Sequence, residues 1–115
     1  MTQINAFFYT VTPGEGVTIV VTPEKVGPNV VAAKAGKVLQ NVGGATPTFK
    51  FDATNDPGGT HLDIVKLTCN FPGTLDPSAR YVVKVSGAGS EKFQGPIINK
   101  SDPIHAPNVN FIVTT

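Results

Sequence analysis

Apolar and polar positions alternate along most of this chain. Val17, Ile19 and Val21 fall on one side of the segment 16–22. Phe49 and Phe51 alternate with Lys50 and Asp52, and Tyr81, Val83 and Val85 alternate with Val82, Lys84 and Ser86. Val109, Phe111 and Val113 repeat the pattern near the end. Successive side chains of a strand point to opposite faces, so a period of two predicts half-buried strands. Pro13-Gly14, Pro23, Gly27-Pro28, Gly43-Gly44, Pro57-Gly58-Gly59, Pro72-Gly73, Pro77, Gly95-Pro96, Pro103 and Pro107 interrupt the runs. Proline lacks an amide donor and glycine accepts positive φ, so these are turns. The pattern predicts strands near 3–12, 16–22, 29–35, 37–42, 47–53, 61–71, 80–87, 92–98 and 108–114. No stretch carries the i, i+3, i+4 stripe of an amphipathic helix. Many short strands between regular turns predict an all-β sandwich or barrel, in one domain spanning 1–115.

Two segments depart from simple alternation. In 61–71, Leu62 and Ile64 share one face while Val65, Leu67, Cys69 and Phe71 share the other. A β-bulge near Ile64–Val65 accounts for the change of phase; cover over both faces is the alternative. The first strand is apolar on both sides, with Ile4, Ala6 and Phe8 on one and Phe7, Tyr9 and Val11 on the other. Ile97-Ile98 has the same character. Exposed apolar patches mark contacts, so Phe7, Phe8 and Tyr9 are candidate interface residues. Internal cover of both faces, by a strand that switches sheets, is the competing explanation.

Leu75-Asp76-Pro77-Ser78-Ala79-Arg80-Tyr81-Val82-Val83-Lys84-Val85 is the most distinctive local motif. It resembles the E–F corner and F strand of fibronectin type III domains, where Leu, Pro and Tyr stand at this spacing before alternating apolar residues. The resemblance implies an immunoglobulin-like antiparallel β-sandwich of seven to nine strands. It assigns Leu75, Pro77 and Tyr81 to a structural corner, with the Tyr81 hydroxyl bonded to backbone upstream. Val83 stands where a disulfide-type immunoglobulin domain carries cysteine, and the chain has no tryptophan.

Composition narrows the function classes. Charged residues make up 15% and the net charge is +1. Eight of the nine basic residues are scattered lysines, and Arg80 is the only arginine. Nucleic-acid surfaces cluster their cations and favour arginine, so no nucleic-acid partner is expected. No run is long and apolar enough for a membrane helix. Met1-Thr2-Gln3 opens neither a basic n-region nor an apolar h-region. That leaves a cytoplasmic protein, or a mature fragment with an added Met, as the two expectations.

Candidate chemistry is thin. Cys69 is the sole cysteine, which excludes an internal disulfide and any cysteine-based zinc cage within one chain. Its alternation with Leu67 and Phe71 predicts an inert core thiol. Asp52, Asp56, His61 and Asp63 are weak candidates for metal ligands, since oxygen donors beside a histidine suit a cation. Asn55-Asp56-Pro57-Gly58-Gly59 also explains itself as turn chemistry. A pairing of His61 with His105 is a further option that sequence cannot place. No serine stands in a Gly-x-Ser-x-Gly context. Gly87-Ala88-Gly89-Ser90 lacks the lysine and following helix of a phosphate loop. No cofactor and no enzymatic activity are expected.

The residues therefore predict a non-catalytic sandwich module that acts by surface contact with a protein partner or with itself as a homo-oligomer. A carbohydrate-binding module is a second reading, although only Tyr9 and Tyr81 could supply a tyrosine platform. A peptidase inhibitor using the glycine-rich loops 43–47, 55–60 and 87–92 is a third.

Overall fold

Among the described residues, nine strands arise where the pattern predicts them. They are β1 (Ala6–Val11), β2 (Gly16–Glu24), β3 (Val30–Lys34), β4 (Lys37–Leu39), β5 (Thr48–Asp52), β6 (His61–Cys69), β7 (Arg80–Ser86), β8 (Lys92–Asn99) and β9 (Asn108–Val113). The computed structural model describes residues 6–55, 58–73, 76–87, 92–102 and 105–114. The strands form a five-stranded sheet, β1-β9-β6-β3-β4, and a four-stranded sheet, β5-β2-β7-β8. The molecule is an all-β sandwich without a disulfide, its Cys69 thiol free and buried.

The two sheets meet through their inward positions. Val17, Ile19 and Val21 of β2, Phe49 of β5 and Tyr81, Val83 and Val85 of β7 are buried from one side. Ala32, Val65, Leu67, Cys69, Val109, Phe111 and Val113 close from the other. Each such valine, leucine or phenylalanine contributes about 1.5–3 kcal/mol of burial free energy. Phe51 of the smaller sheet meets the Phe111 ring of the larger one edge-on, with centroids 5.2 Å apart.

Two features differ from the expected pairing. All described strand pairs are antiparallel except β1 with β9, which run parallel with Phe8 level with Asn110. The bulge expected near Ile64–Val65 is not there. β6 pairs with β3 and β9 in unbroken register, and its inward residues are Asp63, Val65, Leu67 and Cys69. The apparent change of phase comes from a buried acid at an inward position and two apolar residues, Leu62 and Ile64, pointing out. A register shift occurs instead between β7 and β8, where Val82 pairs with Ile97 but Lys84 with Gln94. The extra residue lies at Gly95–Pro96. A Cβ on Gly95 would sit 3.1 Å from Val83 Cγ1 and from the Val83 carbonyl oxygen, so glycine permits the close approach.

The chain passes from the larger sheet at β6 to the smaller one at β7. Tyr81 is fully buried on β7, and its hydroxyl lies 2.8 Å from the Gly27 carbonyl oxygen and 2.9 Å from that of Asn70. Pro77 is exposed in the turn, and Asp76 Oδ1 accepts the Ser78 N–H and hydroxyl beside it. Leu75 lies outside the described residues.

Candidate interaction surface

The outward positions of the larger sheet are unusual for a face turned to water. β1, β9 and β6 lie side by side, so their register fixes which side chains are neighbours. Phe8, Asn110 and Ile64 stand in one row, and Thr10, Ile112 and Leu62 in the next. Phe8 is 59% exposed, Leu62 45% and Ile64 44%. Val31 of β3 and Val38 of β4 extend the apolar character across the sheet. Asn110, between Phe8 and Ile64, is only 6% exposed, and its Nδ2 donates to the Phe7 carbonyl oxygen at 3.3 Å. A buried amide satisfied by backbone carries little free polar character outward.

The smaller sheet shows the ordinary pattern. Its outward positions include Thr18, Thr22 and Glu24 on β2, Lys50 and Asp52 on β5, and Arg80 and Lys84 on β7. Ile97 is its exposed large apolar residue. Val20 and the Val82–Ile97 pair interrupt the polar positions of this face, whereas the larger sheet carries the broader apolar strip.

Of the three aromatic interface candidates, only Phe8 points outward. Phe7 and Tyr9 alternate with it and are half-buried. Tyr9 tilts against Phe111 at 5.9 Å, and its hydroxyl donates to the Gln94 carbonyl oxygen at 2.6 Å, tying β1 to β8. Burial pushes the Tyr9 hydroxyl pKa up. Leu62, Ile64 and Ile112 belong to the strip but are not evident in sequence as a surface. The signal for the first two was the same apolar pair that suggested a bulge.

Of the metal candidates, the structure brings His61 and Asp63 together and places Asp52 on the other sheet. Asp56 lies outside the described residues. Asp52 is exposed at the end of β5, on the outer face of the smaller sheet. Asp63 is buried on the inner face of the larger sheet, where Thr54 donates to both carboxylate oxygens. His61 Nε2 lies 3.2 Å from Asp63 Oδ1 and Lys34 Nζ 4.0 Å from it. Burial alone raises the Asp63 pKa, but the Thr54 hydrogen bonds and the Lys34 and His61 charges outweigh it and hold the carboxyl below its usual value. Among the described residues, no three His, Cys, Asp or Glu side chains are grouped to hold a metal ion.

His105 is far from His61. Its carbonyl oxygen accepts the Cys69 N–H at one end of β6, whereas His61 pairs with Val113 at the other. That separation is about 25 Å along the strand. The His105 ring instead packs edge-on against Phe71 at 4.9 Å, and Phe71 packs on Tyr81 at 5.0 Å. His105 Nε2 lies 3.2 Å from the Lys100 carbonyl oxygen. Cys69 is 1% exposed, and burial pushes its thiol up to about 12.

The segment 43–47 precedes β5 and residues 53–55 follow it, at opposite ends of that strand, while 56–57 and 88–91 of the other two glycine-rich loops lie outside the described residues. The first is internally braced. Asn41 Oδ1 accepts the N–H groups of Gly43 and Thr48, while Asn41 Nδ2 donates to the Gly44 carbonyl oxygen. A cleft of about 460 Å³ lies between Glu24, Lys25, Pro77, Ser78, Arg80, Asn99 and Ser101. Its cations are matched, Arg80 by Glu24 and Lys25 by Asp76. Covering the apolar strip would release hydrating water. Comparison with protein-family models, with curated proteins and with solved structures returned no match.

Proposed function

We propose that this chain is a non-catalytic, immunoglobulin-like sandwich module that works by surface contact and associates with itself through its larger sheet. The single observation that carries the reading is the strip of exposed Phe8, Leu62 and Ile64 on one outer face, against Ile97 as the one described exposed large apolar residue of the opposite sheet. Scattered exposed apolar residues are ordinary, but neighbouring ones in adjacent rows mark contact surfaces. The buried Tyr81 hydroxyl bonded to upstream carbonyls, beside the crossing between sheets, supports the immunoglobulin-like assignment. The two tyrosines weigh against a carbohydrate platform, one being buried and the other packed on Phe111.

Sedimentation equilibrium over a dilution series tests the reading. A reversible monomer–oligomer equilibrium is expected, with the monomer gaining at low concentration. A single monomeric species at every concentration overturns self-association.

A further inference from the structure

The four sheet edges are not alike. An open edge presents unpaired N–H and C=O groups, and proteins blunt such edges with short strands, charges, proline or bulges. β4 has three residues and begins with Lys37. β5 carries Lys50 and Asp52, both exposed. β8 contains Pro96 and the bulge opposite Val83. β1 has none of these devices. Its six residues, Ala6-Phe7-Phe8-Tyr9-Thr10-Val11, include no charge, no proline and no register break.

The backbone direction of β1 follows from its bonds. The Val11 carbonyl oxygen accepts the Thr114 N–H, and the Phe7 carbonyl oxygen accepts Asn110 Nδ2, so odd positions turn toward β9. The N–H and C=O groups of Ala6, Phe8 and Thr10 therefore face the outer edge, where no further strand lies among the described residues. Phe8, the middle member, also has the exposed side chain.

We propose that two copies of this chain pair antiparallel along their β1 edges, with Phe8 of each copy opposite Phe8 of the other across a two-fold axis. The proposal rests on the self-association reading above and places the contact at the Phe8 end of the strip, leaving Leu62 and Ile64 outside it. An uncharged edge is self-complementary under that axis, because each outward residue finds the same donor and acceptor on its mate. Phe8 pairs with Phe8, and Ala6 with Thr10 in both directions, giving about six backbone hydrogen bonds. The two larger sheets become one ten-stranded sheet. Their apolar strips then lie on the same side, with the Phe8 rings as a cross-strand aromatic pair. The axis leaves Ile64 two strands away, about 10 Å from β1.

The test compares sedimentation equilibrium of wild type, Phe8→Lys and Ile64→Lys, with thermal unfolding to show that each variant is folded. Two lysines opposed at the axis should raise the dimer Kd by about tenfold or more, while Ile64→Lys leaves it within about twofold. Mild oxidation supplies an independent readout, since Phe8→Cys should form a disulfide-linked dimer and Ile64→Cys should not. Association lost in Ile64→Lys but kept in Phe8→Lys overturns edge pairing in favour of face-to-face stacking and leaves the contact reading standing. Failure of Phe8→Cys to cross-link under conditions where wild type dimerises also overturns edge pairing. A wild type that stays monomeric overturns both.

Discussion

Thr54 holds both oxygens of Asp63: its backbone N–H reaches Oδ2 at 2.8 Å and its hydroxyl reaches Oδ1 at 2.6 Å. The carboxylate sits on β6 and is 3% exposed, so these bonds fasten the chain leaving β5 to the other sheet. Replacing Asp63 with alanine strands the Thr54 donors and removes the partner of His61 and Lys34. Hydrogen bonds to a charged group contribute about 1.5–3 kcal/mol. Asp63→Ala should therefore lose about 2–3 kcal/mol in urea unfolding, and Asp63→Asn less because one acceptor remains. A loss under about 0.5 kcal/mol for the alanine variant contradicts the bracing role.

The same contacts set a pH dependence. The folded carboxyl of Asp63 titrates below its unfolded value. A depressed folded pKa gives stability that is fully present above the unfolded pKa, near 4, and is lost as pH falls through the folded one. Wild type should therefore lose stability below about pH 4 more steeply than Asp63→Asn, whose side chain does not titrate. Thermal melts from pH 7 down to pH 2 check this, and identical acid limbs for the two proteins exclude it.

Tyr81 gives a cleaner hydroxyl deletion. Its single proton is shared between the carbonyl oxygens of Gly27 and Asn70, while its ring is wholly buried and packs on Phe71. Burial raises its pKa, partly offset by the Asn29 backbone amide. Tyr81→Phe keeps the packing and leaves two carbonyls short of a donor, at a cost of about 1–2 kcal/mol. Chemical denaturation measures it. A stability equal to wild type would mean that water replaces the hydroxyl without loss.

These residues also mark how far the sequence could be read. The strand positions were legible because alternation is local: Phe49, Tyr81 and Phe111 announce their inward direction from their own neighbours. The direction of Phe8 was not legible, because β1 is apolar on both sides and alternation alone does not say which side meets the core. Sheet order was not, since the parallel contact of β1 with β9 joins residues about a hundred positions apart. The inward placement of Asp63 was hidden because an acid reads as a surface residue unless its partner is known, and Thr54 belongs to another element. With Asp63 inward, Leu62 and Ile64 point outward in unbroken register and no bulge is needed. His105 was equally opaque, because its ring contact depends on how the segment after β8 returns to Phe71.

The β3–β4 hairpin carries a correctable strain. Lys34 pairs with Lys37, leaving Ala35 and Gly36 as a two-residue turn with φ of 51° and 77°. Both central residues of such a turn need positive φ, and asparagine or glycine suits the first position. An L-residue with a Cβ pays about 1–2 kcal/mol there. Ala35→Asn should raise stability by about 0.5–1 kcal/mol, and Ala35→Val should lower it by at least as much, since a β-branched residue fits positive φ worst. Differential scanning calorimetry of the two variants tests the sign. A destabilised Ala35→Asn would show that the turn is not limited by backbone strain.

Cys69 offers a probe of opening that needs no substitution. Its thiol is 1% exposed, points into the core from β6 and is pushed up to about 12 by burial. Reaction with a disulfide reagent needs the thiolate and access, and the folded protein denies both. At pH 8 the native protein should therefore leave the reagent unconsumed for as long as it stays folded, while denaturant exposes one thiol per chain. Between those limits, when closing outpaces labelling, the rate reports the free energy of the opening that uncovers β6. Asp63 lies on the same strand, so Asp63→Ala should accelerate labelling by the factor its stability loss predicts, about 30- to 150-fold for 2–3 kcal/mol. Equal labelling rates in the two proteins would show that Cys69 is reached by a local opening that leaves the Thr54–Asp63 contact intact.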